Sequence, residues 1–445
     1  MIPRIAFFPI ARTTFDMELA KQVTQQMRQH LAAAALHVES PNELITDLDS
    51  AQSAAQSLAG NPPDLLLIFQ ATFADSSMVM ALTEAIDSPL MLWAVPEEHQ
   101  GGRLRLNSFC GINLAGHALT RAHRKYGYAY AAPGDPQAMD KLRTLARAGH
   151  VRNLMRRSRL GRVGENPAGF ETCLLDTQRI RAVFGTEVVQ FDLTEQFFPL
   201  TRQVESQAID TLYGELERKV IGLDALDPAA SRGTLSVYAA LDQLAQKHQL
   251  GGFAVRCWPE FFTELGCAAC GAMSMMSDEG VPCSCEADVN GTLTQMILQA
   301  FSSEAAFGSD MVSLDESLDA LVLWHCGLAP LSMADPDGEK GVAIHSNRKL
   351  PLLFDFALKP GVVTVARLTE SSGDYRLVVG RAEMLPGPKH FSGTSGLLHF
   401  DRPARQVIED IMNNGLEHHI CLTYGDYVNE LLVFAELLNL PVLRI

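Results

Sequence analysis

Two hydrophobic patterns divide this chain and constrain its fold more than any other feature. Up to about residue 330, short runs that are apolar at every position alternate with longer amphipathic stretches. A strand apolar on all its side chains must be covered on both faces, and parallel sheets between helices do this. Beyond about residue 340, strand-like runs follow one another with only turn residues between them, the mark of antiparallel pairing. The patterns predict an α/β chain: two Rossmann-like parallel-sheet domains, 1–154 and 155–340, followed by a β-rich, antiparallel barrel-like C-terminal domain, 341–445.

In the first domain RIAFFPI (4–10), DLLLIFQ (64–70) and LMLWAVP (90–96) read as strands. Helices are expected from Asp16 to about Ala35 and over SSMVMALTEAI, and Pro133-Gly134-Asp135-Pro136 reads as a break. In the second, RLGRVGENPAGF (159–170) reads as strand, turn and helix start. EVVQFDL, GGFAVRCWPE and ALVLWHCG read as strands, 203–221 and 234–248 as helices, and NGTLTQMILQAF as a helix capped by Asn290. VAIHSNR, PLLFDFAL, GVVTVARLTE and DYRLVVGRAEML are the strands of the third, with no helix between them, and a helix over 427–438 and a short strand close the chain.

Composition narrows the function. The 445 residues carry a net charge of −16, the wrong sign for a nucleic-acid partner, which needs clustered Lys and Arg. No run approaches the roughly 20 apolar residues of a membrane span, and the N-terminal run lacks the basic start and cleavage site of a signal peptide. A cytoplasmic setting is expected. Nine cysteines, an odd number, fit free thiols or metal ligands better than a disulfide framework.

Four of those cysteines, Cys267, Cys270, Cys283 and Cys285, lie close in sequence. A Cys-x2-Cys followed by Cys-x-Cys admits a tetrahedral four-thiolate zinc site. Packed core thiols are the stronger reading, because Cys-x-Cys is uncommon in a structural knuckle and a large α/β domain needs no zinc to fold.

Directly after them stand Glu286 and Asp288, at the start of a helix where acids are often mere dipole partners. Asp310 reads as a loop acid. His325 ends the strand LVLWH, where ligands of open α/β sheets gather, and the adjacent pair His418-His419 precedes the apolar strand ICLTY. Together, carboxylates and imidazoles suit a divalent cation such as manganese, magnesium or cobalt better than thiolate-bound zinc.

These motifs carry a resemblance. CWPEF, CSCEADVNGTLTQMIL, FGSDMVSLDE, LVLWHCGLAP and the terminal EHHICLTYGDY resemble the L-fucose isomerase and L-arabinose isomerase superfamily, most closely over 251–330 and 415–445. DLLLIFQATF and LNSFCGINLAG extend the likeness to the N-terminal part. The resemblance implies two Rossmann-like domains and a β-rich third, and an aldose–ketose isomerase that moves hydrogen between C1 and C2 through an ene-diol. It also implies a bound divalent cation, Mn2+ before Mg2+ or Co2+, and a sugar as the only small-molecule partner. Active sites would lie between subunits of a homo-oligomer (a trimer, tetramer or hexamer). By motif, Glu286 and Asp310 would be the acid–base pair, and Glu286, Asp310, His325 and His419 the metal ligands. Glu260, Asp288 and His418 would support the ligands or touch the sugar.

The chain departs from both named branches in length and in the loop expected at NSFCGINLAG, which begins at Asn107 and has no histidine in register. The resemblance therefore leaves the sugar open. Arg103, Arg105 and Asn107 are candidates for substrate contact, and Arg103 and Arg105, with Arg121, Arg124 and Lys125, suit either an anionic sulfo-sugar or a solvated surface. Two other function classes stay open: a non-catalytic sugar-binding or regulatory protein that kept this fold, and a zinc protein with structural thiolates.

Overall fold

The computed structural model describes residues 2–34, 36–58, 60–99 and 101–445, and the chain forms two compact units, Met1–Leu154 and Met155–Ile445. The first holds five parallel strands in the order His37–Glu39, Arg4–Ile10, Leu65–Gln70, Leu90–Ala94, Gly127–Tyr130. Leu65–Gln70 and Leu90–Ala94 are buried at every residue, as two-sided cover requires. The helix Met17–Ala33 turns Ala20, Thr24, Met27 and Leu31 onto the sheet at spacings of three and four. Asp16, Asp47 and Asp75 cap the first three helices by accepting backbone N–H groups of the first turn. NSFCGINLAG, expected as a loop, is instead the start of the helix Ser108–Arg121.

The second unit opens with four parallel strands, in the order Glu187–Phe191, Arg159–Val163, Phe253–Val255, Cys283–Ser284. The helix start expected by residue 170 does not form. Pro167 and Gly169, the latter at φ 85°, hold the chain in a loop that leads to a 3₁₀ turn, Glu171–Cys173. The helix Pro228–His248 begins six residues before the expected 234, with Asp227 as cap and Pro228 at its first position.

Six strands then close a ring. Thr394–Phe400, Ala320–His325, Phe307–Asp315, His419–Tyr424, Gly361–Thr369 and Arg376–Leu385 pair in that order, and the last pairs back to the first, every junction antiparallel. The architecture is thus two parallel-sheet α/β domains and a closed six-stranded antiparallel barrel. Three local expectations change. Asp310 lies on a barrel strand rather than in a loop. Of VAIHSNR only Val342 and Ala343 are strand, within Gly341–Ala343, and the amphipathic ARQVIEDIMN forms an unforeseen helix, Ala404–Asn413.

The helix Val289–Ser302 joins the two parts of this unit. It packs on the parallel strand Phe253–Val255 on one side and on the barrel strands Gly361–Thr369 and His419–Tyr424 on the other. Its residues Val289–Leu298 are therefore buried all round. Its cap is Asp288, which accepts the N–H of Gly291, and not Asn290. Asn290 lies inside the helix and accepts a hydrogen bond from the Tyr375 hydroxyl. Among the described residues no helix is long and apolar enough to cross a membrane.

The helix Pro136–Met155 approaches the sheet so closely that a Cβ on Gly149 would stand 1.9 Å from the Asp64 carbonyl oxygen. Ala normally stabilises a helix interior over Gly by about 0.5–1 kcal/mol. Gly149→Ala is expected to destabilise by about 1–3 kcal/mol. Gly214→Ala, where a Cβ would meet only Arg218 Nη1 at 3.9 Å, is expected to stabilise. Thermal unfolding of the two variants beside the parent checks the opposite signs.

Candidate active site

The barrel supplies one half of the site and the turn after Cys283–Ser284 the other. Asp310 and His419 are direct cross-strand partners, so their side chains leave the sheet on one face. Asp310 also faces Trp324, next to His325 at the end of the neighbouring strand. Glu286 and Asp288 come from the turn before Val289–Ser302. Glu286 and Ala287 both take left-handed backbone, φ 61° and 56°. Side-chain-bearing residues avoid this region, and a consecutive pair persists only where the surroundings dictate it.

Asp288 explains how that turn is held. Its side chain and that of Arg367 are each 1% exposed. Arg367 donates Nη1 to Oδ2 at 2.6 Å and Nη2 to Oδ1 at 3.0 Å, a bidentate fork. Gly291 N–H donates to Oδ1 at 2.8 Å, and His419 Nδ1 lies 3.0 Å from Oδ2. Burial opposes ionisation of Asp288, but the Arg367 charge and the His419 bond outweigh it and hold the carboxyl far below the usual range. An ionised Asp288 accepts only, so His419 must donate from Nδ1, which leaves Nε2 with its lone pair free. A side chain at position 291 would destroy this, since its Cβ would lie 2.4 Å from Asp288 Oδ2.

That free nitrogen faces the other acids. His419 Nε2 is 3.6 Å from Asp310 Oδ1 and 4.0 Å from Glu286 Oε2. Asp310 Oδ1 is buried with no hydrogen-bond partner, an expensive state unless a cation or a donor meets it. Glu286 is better satisfied: Trp258 Nε1–H donates to Oε1 at 3.2 Å, and His418 Nε2 lies 3.0 Å from Oε2. Burial opposes its charge, yet the hydrogen bonds from His418 and Trp258 hold its carboxyl below the ordinary range. Burial also disfavours a charged His418, and the Glu286 bond outweighs that and raises its pKa. Thr172 Oγ1 at 2.9 Å from Nδ1 and the edge of Phe170 fix the His418 ring.

The donor set fits a divalent cation. Glu286, His418 and His419 present ligand atoms within 4.8 Å of one another, Asp310 Oδ1 lies 3.6 Å from His419 Nε2, and carboxylate oxygens beside imidazole nitrogens suit a divalent cation. His325, 4% exposed, lies beside the group, its ring centroid 5.7 Å from that of His419. Its Nδ1 accepts the Cys326 N–H at 2.9 Å, which leaves Nε2 as the remaining nitrogen. A cavity of about 540 Å³ opens at Asp310, Thr172 and His418, with Met311, Leu314 and Ile408 on its apolar wall.

The remaining expected residues have partners of their own. Glu260 is held by both guanidinium arms of Arg256, each at 2.8 Å. In the N-terminal unit Arg105 pairs with Asp16, and Arg103 donates to the Thr14 carbonyl. Asn107, at φ 54°, donates its backbone N–H to Glu97. The four cysteines are buried and free but diverge. Cys270 Sγ is 3.3 Å from that of Cys326, Cys285 pairs with Cys257, and Cys283 reaches the Val281 carbonyl. Burial pushes the Cys267 thiol up to about 12. Among the described residues none of the four belongs to a metal-sized group of ligand atoms, so the thiolate zinc site is not formed.

Trp258, Thr172 and Arg367 were not singled out in the sequence. Arg367 had left a signal: a charge within GVVTVARLT, a strand buried from Val363 to Thr369, requires a buried partner. Arg367→Met, which strands Asp288, is expected to cost about 3–5 kcal/mol. Asp288 has a depressed folded pKa, so its contribution is present above the usual carboxylate pKa of about 3.9 and is lost as pH falls below it. Denaturant unfolding of parent and variant at pH 7 and about pH 3 checks both, and the gap between them is expected to narrow at the lower pH.

Comparison with known proteins now adds the family. Residues 7–156 match the fucose/sulfoquinovose isomerase N-terminal domain, and residues 355–445 match the L-fucose isomerase C-terminal domain. The chain is 32% identical over 442 residues to a sulfoquinovose isomerase of Alkalicoccus urumqiensis, covering 99% of both chains. It is 31% identical over 444 residues to one of Priestia aryabhattai and 29% identical over 442 residues to one of Clostridium sp. (strain MSTE9), covering 98% of each. The chain belongs to the fucose/sulfoquinovose isomerase family within the L-fucose isomerase-like superfamily, and it is an aldose–ketose sugar isomerase.

Proposed function

We propose that this isomerase acts on sulfoquinovose and depends on a divalent cation, Mn2+ first, held by Glu286, Asp310 and His419 with His325 alongside. The observation that carries the metal reading is the orphaned, buried Asp310 Oδ1 beside the lone-pair nitrogen of His419. The substrate reading rests on full-length similarity to sulfoquinovose isomerases. A bound cation would supply Lewis-acid polarisation of the sugar carbonyl and its neighbouring hydroxyl.

The protein's residues would do the rest. Glu286 is ionised at neutral pH, with Trp258 and His418 setting its direction, so it can accept a proton from carbon. Asp310 has one oxygen in the dry interior and a carboxyl 26% exposed toward the cavity, and it would exchange the proton at the adjacent oxygen. Glu286 would return that proton to the neighbouring carbon, and His418, tied to both Glu286 and Thr172, keeps the carboxylate oriented for both transfers. Asp288 holds the His419 tautomer throughout.

A homo-oligomer with sites completed by a neighbouring subunit belongs to this reading, supported by the exposed Leu104, Phe109 and Leu114 of the N-terminal unit. So does a cytoplasmic setting, with which nine free cysteines accord. The family sets aside the non-catalytic alternative.

Isomerisation of sulfoquinovose by manganese-loaded protein is expected to stop on chelation and return when Mn2+ is restored. Glu286→Gln and Asp310→Asn are each expected to lower kcat by about 10²–10⁴-fold while the protein stays folded by circular dichroism. Parent-like turnover in either variant sinks its assignment, and turnover indifferent to chelator sinks the metal.

A further inference from the structure

The turn 345–349 places a cation against the site that no part of the reaction scheme uses. The Arg348 guanidinium lies over the Trp258 ring, 4.7 Å from its centroid, and 5.3 Å from that of Phe262. Trp258 is the side chain whose indole N–H holds Glu286. Arg348 therefore lies over the face of the indole whose N–H edge meets Glu286. Stacking engages the flat face of a guanidinium and leaves its N–H edge free for an oxyanion.

That edge has no carboxylate partner among the described residues. The group nearest its Nη1, at 3.2 Å, is His345 Nε2. His345 is 3% exposed, and burial followed by the Arg348 charge pushes its pKa down to about 4, so it is neutral and no counter-ion. Three other arginines of this unit are committed: Arg256 to Glu260, Arg367 to Asp288, and Arg162 to Gln190 and Asn166. Lys349, next in the chain, is exposed and adds a second positive charge. In a protein of net charge −16, an arginine clamped in place yet without a carboxylate partner among the described residues is a feature to explain.

We propose that Arg348 is the specificity-determining residue for the anionic end of the sugar, its free edge taking sulfonate oxygens while Glu286, Asp310 and His419 address the carbonyl end. The inference rests on the sulfo-sugar reading above and extends it. It assigns the charge recognition to Arg348 rather than to Arg103, and Arg105 is already neutralised by Asp16.

The test is kcat/KM of the full-length, manganese-loaded enzyme for sulfoquinovose and for its uncharged counterpart 6-deoxyglucose, in the parent, Arg348→Met, Arg348→Gln, Arg348→Lys and Arg103→Met. The ratio of the two values is expected to fall about 10- to 100-fold in Arg348→Met and Arg348→Gln, the worth of hydrogen bonds to a charged group. The fall should appear mainly in KM, with partial recovery in Arg348→Lys. Two replacements keep the test open if one fails to fold. An unchanged ratio in both, or a fall confined to Arg103→Met, overturns the inference and leaves the substrate reading standing. A parent enzyme that isomerises 6-deoxyglucose but not sulfoquinovose overturns the substrate reading, and the inference with it.

Discussion

One buried ion pair organises the second unit of this protein, around the candidate site. Asp288 caps the helix Val289–Ser302, accepts both arms of Arg367 from a barrel strand and fixes the tautomer of His419 on the next strand. Each contact alone is ordinary. Their concentration on one carboxylate means that the helix position, the barrel wall and the imidazole direction cannot vary independently. A buried charge is costly unless every lone pair is met, and here every one is.

The same logic accounts for the strain beside it. The left-handed pair Glu286-Ala287 sits between two anchors, the parallel strand Cys283–Ser284 and the capped helix. With both ends held, the turn has no relaxed path, and it aims Glu286 at His419 and Asp310 instead of at solvent. Asp310 carries a second tension. Its inner oxygen has no partner, whereas each oxygen of Glu286 has one. Two carboxylates in such different surroundings are suited to different proton tasks.

Much of the architecture was legible because burial has a period. LLLIF and LMLWA are apolar at every position, as a parallel strand covered on both faces requires. Legibility failed where a local pattern had two solutions. NSFCGINLAG holds Gly and Asn yet begins a helix, and Asn290 is a good capping type outranked by Asp288 two residues earlier. Asp310 looked like a loop acid because GSD is turn-like, whereas pairing on both sides makes it strand.

The sequence by itself determined the order of covered and alternating strands, the placing of helix caps at Asp16, Asp47, Asp75 and Asp227, and the residue types available for chemistry. These follow from interactions within a few positions along the chain. Tertiary structure alone decided that Asp310 and His419 face each other across a ladder, that Arg367 neutralises Asp288 79 residues away, and that Trp258 stands between Glu286 and Arg348. It also decided that the four clustered cysteines diverge. The reason is physical: charge neutralisation and close packing act between whichever groups the closed barrel brings within a few ångströms, and closure of the ring is a property of six strands together.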